Sequence, residues 1–516
     1  MGLTREAYQE LADIVGPEYI TEEPAVLDGY CFIWGNEVIF GDKFSARPLA
    51  VIMPGSVEEV QAIVKVCNKF KIRYKAHASG FEVVALSARE PFLPMDLRRM
   101  NRILEIDEKN KYAVVEPYVT SRNLINETIK RGIRPYAVGC GPTGSVIASS
   151  SCHFGSGASN LSADYGGRTP LGVEWVLPNG EILRLGSLGT GAGWFTGDGP
   201  GPSLRGVMRG YGGANGGLGI MTKVAVKLVP WYGPEKIEAK GRPPSYDCDV
   251  PENFATYMIF FPSQNSLIDC FYLLTEEYIG FSGQQNVGNF MINLIAESND
   301  ELFGMVQTVP PELIEKLRYT ALVILDASSQ EEMQYRKKCL EKILEKTEGT
   351  IFPLDSRANG IMYLCHTTGQ GMTRAFRIGG GLALAPVGDD SLDSIGKVWE
   401  RGYKEILEKH EQAGEILTAP WAPFYSDSSY GHMEGTCVYD AANMDAAKAI
   451  GEIGAEADTK VAQWSLSINS LEGALSFEES ALKAADPYCL NLLSWMKKVK
   501  RAFDPNLVSE SSFYVT

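Results

Sequence analysis

The stretch Gly139–Gly157, "GCGPTGSVIASSSCHFGSG", decides how the chain is read. Its first six residues spell G-x-G-x-x-G, a spacing that lets a backbone turn hold a pyrophosphate at a helix N-terminus. That dinucleotide pattern needs a strand before the first glycine and a helix after the second. Here Pro142 occupies the turn, and Ser145–Ser151 is rich in serine and β-branched residues, poor helix material. Asp164, about twenty residues on, stands where a ribose-binding acid would, but inside another glycine-rich run. Taken locally, a glycine-rich surface loop is a better reading than the dinucleotide fold.

The density of small residues still needs a cause. Glycine and serine let backbone N–H groups approach a phosphate with no Cβ in the way. Three such stretches, at 75–82, 139–157 and 210–222, lie in one α/β region and point to a large ligand with an extended pyrophosphate. The elements around them are legible. Residues 48–74 read as a β-α-β unit: a strand at Ala50–Met53, a helix and a strand at Ile72–Tyr74. Ser56 and Glu59 make a capping box, and Val57, Val60, Ile63, Val64 and Cys67 recur at helical spacing. Strands are expected around Met95, at Ile103–Ile106 and at Ala113–Glu116, a helix over 120–132, and a hairpin turning at Asn179-Gly180. From about 235 the texture changes. "TYMIFF" and "TALVILDA" then alternate with charged helices over 329–347 and 392–413, and a last helix stops at Asp504-Pro505.

The 516 residues carry a formal charge of −16, which argues against nucleic acid or an anionic membrane as partner. Ten cysteines show no C-x-x-C pair, so a zinc module, an iron–sulfur cluster and a disulfide scaffold are not expected. Reduced thiols suit the cytoplasm. The opening "MGLTREAYQELADIV" reads as a charged amphipathic helix and not a signal peptide, and no run reaches the ~20 apolar residues of a membrane span.

Taken together, the motifs resemble the vanillyl-alcohol oxidase/p-cresol methylhydroxylase superfamily of FAD-linked oxidoreductases, which includes glycolate and D-lactate dehydrogenases. "PLAVIMPGSVEEVQAIV" is similar to its opening β-α-β unit, and "AHASGFE" stands at its first flavin loop. "LPMDLRRMNRILEID" with "YAVVEPYV" is similar to its hairpin. "GPTGSVIASSSCHFGSGASNLSADYGGRTPLGVEWVLPNGEILRLG" and "GPGPSLRGVMRGYGGANGGLGIMTKVAVKLVP" match its second and third cofactor segments. The resemblance implies an α+β, two-lobed flavoprotein. Residues 1–232, rejoined by 486–516, would form a non-Rossmann FAD-binding domain of β-α-β units, and 233–485 an α+β cap that shapes the substrate pocket.

It also implies which residues meet FAD. The first loop gives Ala76, His77, Ala78, Ser79, Gly80 and Phe81. The second gives Gly141, Thr143, Gly144, Ser145, Ser149, Ser151, Cys152 and His153, then Gly155, Ser156 and Gly157. Gly217, Gly219 and Ile220 fall on the adenine side. The family often tethers flavin to a His of the first loop. Ser79 stands there, so FAD is expected to be noncovalent, with His77, Cys152, His153 and His432 as residual tether candidates.

The substrate machinery departs from the family. The hydroxy-acid dehydrogenases hold a divalent metal with paired histidines. Here "GHMEGTCVYD" keeps His432 but has Tyr439 at the second position, and Glu472 replaces a later His, so no metal is expected. The phenol oxidisers use a first-loop Tyr and an Asp in the segment matching "SADYGG". This chain has Phe81 and Ala163 there, with Asp164 adjacent. Candidate proton carriers are His432, Tyr430, Asp164 and Glu472. Arg374 and Arg377 are candidate anion anchors, with Tyr425 and Phe81 facing substrate; Tyr363 and Trp421 read as core aromatics. The expected activity is a dehydrogenase moving a hydride from an activated C–H of a small-molecule substrate (an alcohol, hydroxy acid or alkylphenol) to flavin N5. Electrons would then pass to a separate protein or quinone. An oxygen-using oxidase and an electron-transfer subunit stay open as alternatives, and so does a homo-oligomer.

Overall fold

Ser56 accepts a hydrogen bond from the Glu59 N–H at 3.2 Å, and the Glu59 carboxylate accepts one from the Gly55 N–H at 2.7 Å. The capping box therefore opens a helix where the sequence places one. The computed structural model describes residues 2–31, 46–80, 90–137, 141–152, 155, 157–194, 196–199, 217–242, 245–286, 295–308, 310, 313, 317–369, 380–425, 430–440, 442–464, 487 and 491–511.

The N-terminal part joins two sheets. In the first, α1 (Arg5–Val15) and α2 (Val57–Phe70) cover a four-stranded sheet. Its strands are β1 (Ile20–Thr21), β2 (Val51–Ile52), β3 (Tyr74–His77) and β4 (Leu93–Asp96), in the order β1-β2-β4-β3. The pairs β2/β4 and β3/β4 run parallel, as a β-α-β unit requires. Val60, Ile63, Val64 and Cys67 of α2 are fully buried against Ile52, Tyr74 and Met95. The second sheet holds β5 (Ile103–Asp107), β6 (Tyr112–Val115), β7 (Pro170–Val176), β8 (Ile182–Gly186) and β9 (Ile220–Lys227), in the order β5-β6-β9-β7-β8. All its pairs are antiparallel, and β7 and β8 flank the expected turn at Asn179-Gly180.

The later part is a seven-stranded antiparallel sheet. In chain order its elements are β10 (Phe254–Phe260), α3 (Gln264–Glu276), β11 (Ser282–Asn286), β12 (Thr320–Asp326), α4 (Gln330–Thr347) and β13 (Thr350–Phe352). There follow α5 (Ser356–Thr368), β14 (Gly380–Ser391), α6 (Leu392–Gly402), β15 (Leu417–Tyr425), β16 (Tyr430–Asp440) and α7 (Met444–Trp464). The strand order is β13-β10-β12-β11-β15-β16-β14. Leu267, Leu340, Ile395 and Ile453, one from each of α3, α4, α6 and α7, pack with Ala422, Phe424, Met433 and Cys437. Because strand side chains alternate, this leaves Trp421, Tyr425, Tyr430, His432 and Glu434 on the opposite face.

The last helix, α8 (Leu492–Phe503), returns to the N-terminal part. Phe503 stacks on Trp175 at 6.3 Å between ring centroids, and the Tyr74 N–H donates to the Val508 carbonyl at 2.8 Å. The segment expected to resist helix formation does form a short helical run, ending in a π-turn at Ala148–Cys152. Its serines support it: Ser149 and Ser150 hydroxyls donate to the carbonyls of Ser145 and Val146 at 2.9 and 2.7 Å. Local side-chain bonding outweighs weak propensity here.

Candidate active site

The first glycine-rich loop leaves the end of β3 and meets the second at Ser145. Ala76 and His77 end β3, and Ala78, Ser79 and Gly80 follow. The Ser79 hydroxyl accepts the Ser145 N–H at 3.0 Å, which joins the first loop to the second. Gly141, Pro142, Thr143 and Gly144 form the turn before Ser145, and their carbonyls anchor the helix Ser121–Thr128 through Ser121 N–H to Gly144 and Arg122 N–H to Pro142. On the third loop the Gly219 N–H donates to the Ser509 hydroxyl at 3.0 Å. Lys500 is buried and donates to the Gly217 carbonyl at 2.5 Å, to Asp504 at 2.6 Å and to the Ser509 carbonyl. The C-terminal tail is thus part of the loop's support.

The described glycines of these loops lie close against the chain itself. A Cβ on Gly155, which has φ +74°, would lie 2.2 Å from the Ser149 carbonyl and 2.7 Å from Gly166 Cα. One on Gly157 would strike the Tyr136 hydroxyl at 1.8 Å, and one on Gly217 the Ser509 carbonyl at 2.5 Å. These positions are small so that the chain can approach itself, and a large side chain would break the loop before it blocked a phosphate. Ser79 joins the first loop to the second, and Lys500 and Ser509 tie the described end of the third to the C-terminal tail. His77 packs against the first loop, where a Cβ on Gly80 would lie 2.5 Å from its Nε2; its ring meets Tyr30 at 5.3 Å, its Nδ1 is 3.8 Å from Asp96, and burial pushes its pKa down.

The opposite face of the large sheet, on which α5 packs, carries a second constellation. His432 is buried, with Nδ1 2.9 Å from Asp389 and Nε2 2.9 Å from Glu434. Burial opposes its charge, but the two carboxylates outweigh that and raise its pKa to about 10. Both ring nitrogens are therefore engaged in holding protons. The Tyr430 hydroxyl donates to the same Asp389 oxygen at 2.7 Å, and burial followed by the Asp389 charge pushes the phenol pKa far up. Tyr430 stacks on Tyr425 at 5.6 Å, and Tyr165 closes against both at 5.3 and 5.4 Å. Across the face, the Trp421 indole donates to Gln284 at 3.1 Å. His366 of α5 lies 3.1 Å from the Gln284 amide nitrogen and 2.8 Å from the Ser282 hydroxyl, and burial lowers its pKa to about 4. Asn286, directly opposite Trp421, is fully buried, and neither atom of its carboxamide has a hydrogen-bond partner among the described residues.

Of the expected proton carriers, the fold brings Tyr430 and His432 together on Asp389, with Tyr425 beside them. Asp164 lies apart. It holds an unusual backbone conformation for a non-glycine residue, φ 58° and ψ −152°, and pairs with Arg168 at 3.3 Å. Ile220 is fully buried at the start of β9. Ser151 and Cys152 close the π-turn. Phe81, His153, Ser156, Arg374, Arg377 and Glu472 lie outside the described residues. Asp389, Gln284, Asn286 and His366 escaped the sequence reading. Nothing near Asp389 in "LALAPVGDDS" marks it, and only its register opposite His432 does. Among the described residues no cluster of His, Cys, Asp and Glu could hold a metal ion.

Comparison with known proteins gives this geometry a context. Residues 48–186 match the family described as FAD binding domain. Glycolate oxidase subunit GlcD of Bacillus subtilis (strain 168) is 28% identical over 236 residues, covering 44% of this chain and 46% of that protein. The 4-cresol dehydrogenase (hydroxylating) flavoprotein subunit of Pseudomonas putida is 27% identical over 248 residues, covering 44% and 43%. The chain spans less than half the length of these relatives. The crystal structure of p-cresol methylhydroxylase with substrate bound shares the fold with a TM-score of 0.75, over 99% of this chain and 98% of that one, at 17% identity.

Proposed function

We propose that this chain, which belongs to the FAD-linked oxidoreductases of the vanillyl-alcohol oxidase/p-cresol methylhydroxylase superfamily, is a dehydrogenase acting on an activated C–H bond. The substrate is an alcohol, a hydroxy acid or an alkylphenol-type compound, and the electrons leave to a separate protein or quinone. Residues 1–232 with 486–516 hold FAD, and 233–485 supply the substrate wall. FAD, held noncovalently by the loops at Ala76–Gly80, Gly141–Gly157 and Gly217–Ile220, supplies the hydride acceptor.

The observation that carries this reading is the polar face of the seven-stranded sheet, turned towards Tyr165 of the loop segment. Removing a hydride from a C–H beside a hydroxyl also releases a proton, which this chain must take. Tyr430 accepts it at its oxygen as its own proton moves to Asp389, already 2.7 Å away. His432, doubly held, keeps Asp389 oriented and balances its charge. Asn286 offers a donor and an acceptor to a polar substrate group, and Tyr425 and Trp421 supply apolar walls.

A second reading, a flavoprotein subunit that relays electrons within a larger assembly, is favoured by the names of both curated relatives, each of them a subunit. The formal charge of −16 suits a basic carrier. Free thiols at Cys67, Cys270 and Cys437 suit a reducing cytoplasm, and no helix among the described residues is long and apolar enough to cross a membrane.

The test is anaerobic mixing of the yellow protein with glycolate, an aromatic alcohol and 4-cresol. Bleaching of the flavin by one class establishes the dehydrogenase half-reaction and its substrate. Bleaching by none of them turns the reading to the relay subunit. Reoxidation in air with stoichiometric hydrogen peroxide at the turnover rate would make the acceptor dioxygen. Acid precipitation should release FAD intact, and flavin retained on the denatured chain would show a covalent tether.

A further inference from the structure

Among the described residues, strands β11 and β15 pair through Gln284/Pro423, Gln285/Ala422 and Asn286/Trp421, and β15 continues beside β16 to Tyr425. Pro423 has no N–H to give the ladder. At the point where the pairing stops, a side chain from the cofactor loop takes over. The Asn160 carboxamide donates to the carbonyls of both Gly283 and Phe424, and its oxygen accepts the Gly283 N–H at 3.1 Å. The Ser282 hydroxyl reaches the same oxygen at 3.4 Å. Asn160 is fully buried, and its amide does what a backbone peptide would do between two strands.

Two further contacts tie the same segment down. The Ser162 hydroxyl donates to the Phe281 carbonyl at 3.0 Å, and Arg134 reaches Ser162 at 2.5 Å while stacking on the Phe281 ring at 4.2 Å. The segment is short. Gly155 and Gly157 of the second cofactor loop precede Asn160, and Tyr165, packed on Tyr425 and Tyr430, follows it. Phe424, which Asn160 grips, is next to Tyr425.

We infer that Asn160 is a positioning residue: by splicing its carboxamide into the β11/β15 ladder it fixes the separation between the flavin loop and the tyrosine wall. A packed apolar contact could slide, whereas an amide with two donors and one acceptor committed across two strands has one seat. The inference rests on the reading of the polar face as the substrate wall.

The experiment uses the full FAD-loaded chain and needs no substrate. Asn160→Ala is compared with the parent by amide hydrogen exchange over 282–286 and 417–425 and by visible circular dichroism of the bound flavin. Exchange in both segments is expected to speed up about tenfold. The flavin signal should change, while FAD affinity stays within about threefold of the parent. Asn160→Ser, which keeps one donor, should fall between the two, and it decides by the same criteria if Asn160→Ala does not fold. Unchanged exchange overturns the inference. So does faster exchange with an unchanged flavin signal, which would make Asn160 a strand tie alone. Loss of FAD would place it in the cradle and overturn it as well. Because neither readout involves substrate, failure here leaves the bleaching experiment intact, and failure there leaves this one intact.

Discussion

The proposed cofactor loops and the proposed substrate wall are built from opposite materials. In the described parts of the loops, glycines at positive φ, such as Gly155, Gly217 and Gly219, let the chain pass close to itself, and the side chains of Ser79, Lys500 and Ser509 tie the segments. The wall uses side chains, taken from four neighbouring strands at Gln284, Trp421, His432 and Asp389. A backbone-built site tolerates change in sequence but not in volume. A side-chain site tolerates volume but not a change of chemistry. The two should therefore fail differently.

The largest effect is expected where the backbone site depends on one buried charge. Lys500→Met would leave the Gly217 and Ser509 carbonyls and the Asp504 carboxylate without their cation. Breaking a buried pair of this kind costs roughly 3–5 kcal/mol. Chemical denaturation and FAD content should both fall sharply. A variant that unfolds like the parent and retains its flavin would detach the C-terminal tail from the cofactor site.

A smaller loss should follow Gly219→Ala. The new Cβ would lie 2.2 Å from the Val176 carbonyl at a φ of +111°, a cost of roughly 2–3 kcal/mol. Gly454 in α7 is the control, since nothing lies within 4 Å of a Cβ there. Gly454→Ala should be neutral or stabilising by up to about 1 kcal/mol. Equal melting shifts for the two variants would remove the argument that the loop glycines are required by close approach.

The same contrast explains what the sequence could reveal. A backbone-built loop is written locally, as runs of small residues, so the runs at Gly139–Gly157 and its companions can be picked out one stretch at a time. The capping box at Ser56 and the hairpin turn at Asn179-Gly180 are equally local. The wall is not. His432 and Tyr430 could be picked out because their types are rare and reactive, but Asp389 looks like the end of an apolar strand until β14 is set against β16. Asn160 has no local signal at all, because its partners Gly283 and Phe424 are remote in the chain. The helical turn at Ala148–Cys152 was missed for another reason: serine lowers helix propensity on average, yet here its hydroxyls bond the preceding carbonyls.

On the side-chain site, chemistry should matter at constant size. His432 has its pKa raised to about 10 because Asp389 and Glu434 overcome the burial that would lower it. A raised folded value means that the stability it contributes is complete below the ordinary imidazole pKa near 6.5 and disappears as pH climbs through about 10. The difference in stability between the parent and His432→Gln should thus shrink steadily across that window. Denaturation at several pH values checks it. A difference independent of pH would mean that the imidazole is neutral between its carboxylates, and the charge-balancing role for Asp389 would be withdrawn.

The smallest effect tests a place where the backbone site leans on an ordinary side chain. The Ser79 hydroxyl is already employed in accepting the Ser145 N–H at 3.0 Å. Ser79→Ala removes that acceptor and nothing else of size. A neutral hydrogen bond contributes about 0.5–1.5 kcal/mol net, so FAD affinity should weaken by no more than about tenfold. The wall lies on another sheet, so rates of flavin bleaching at saturating FAD should be unchanged. Flavin titration followed by single-turnover reduction separates the two. If Ser79→Ala abolished flavin binding, the first loop would have to hold FAD through that hydroxyl directly, and the distinction between a backbone cradle and a side-chain wall would fail at its narrowest point.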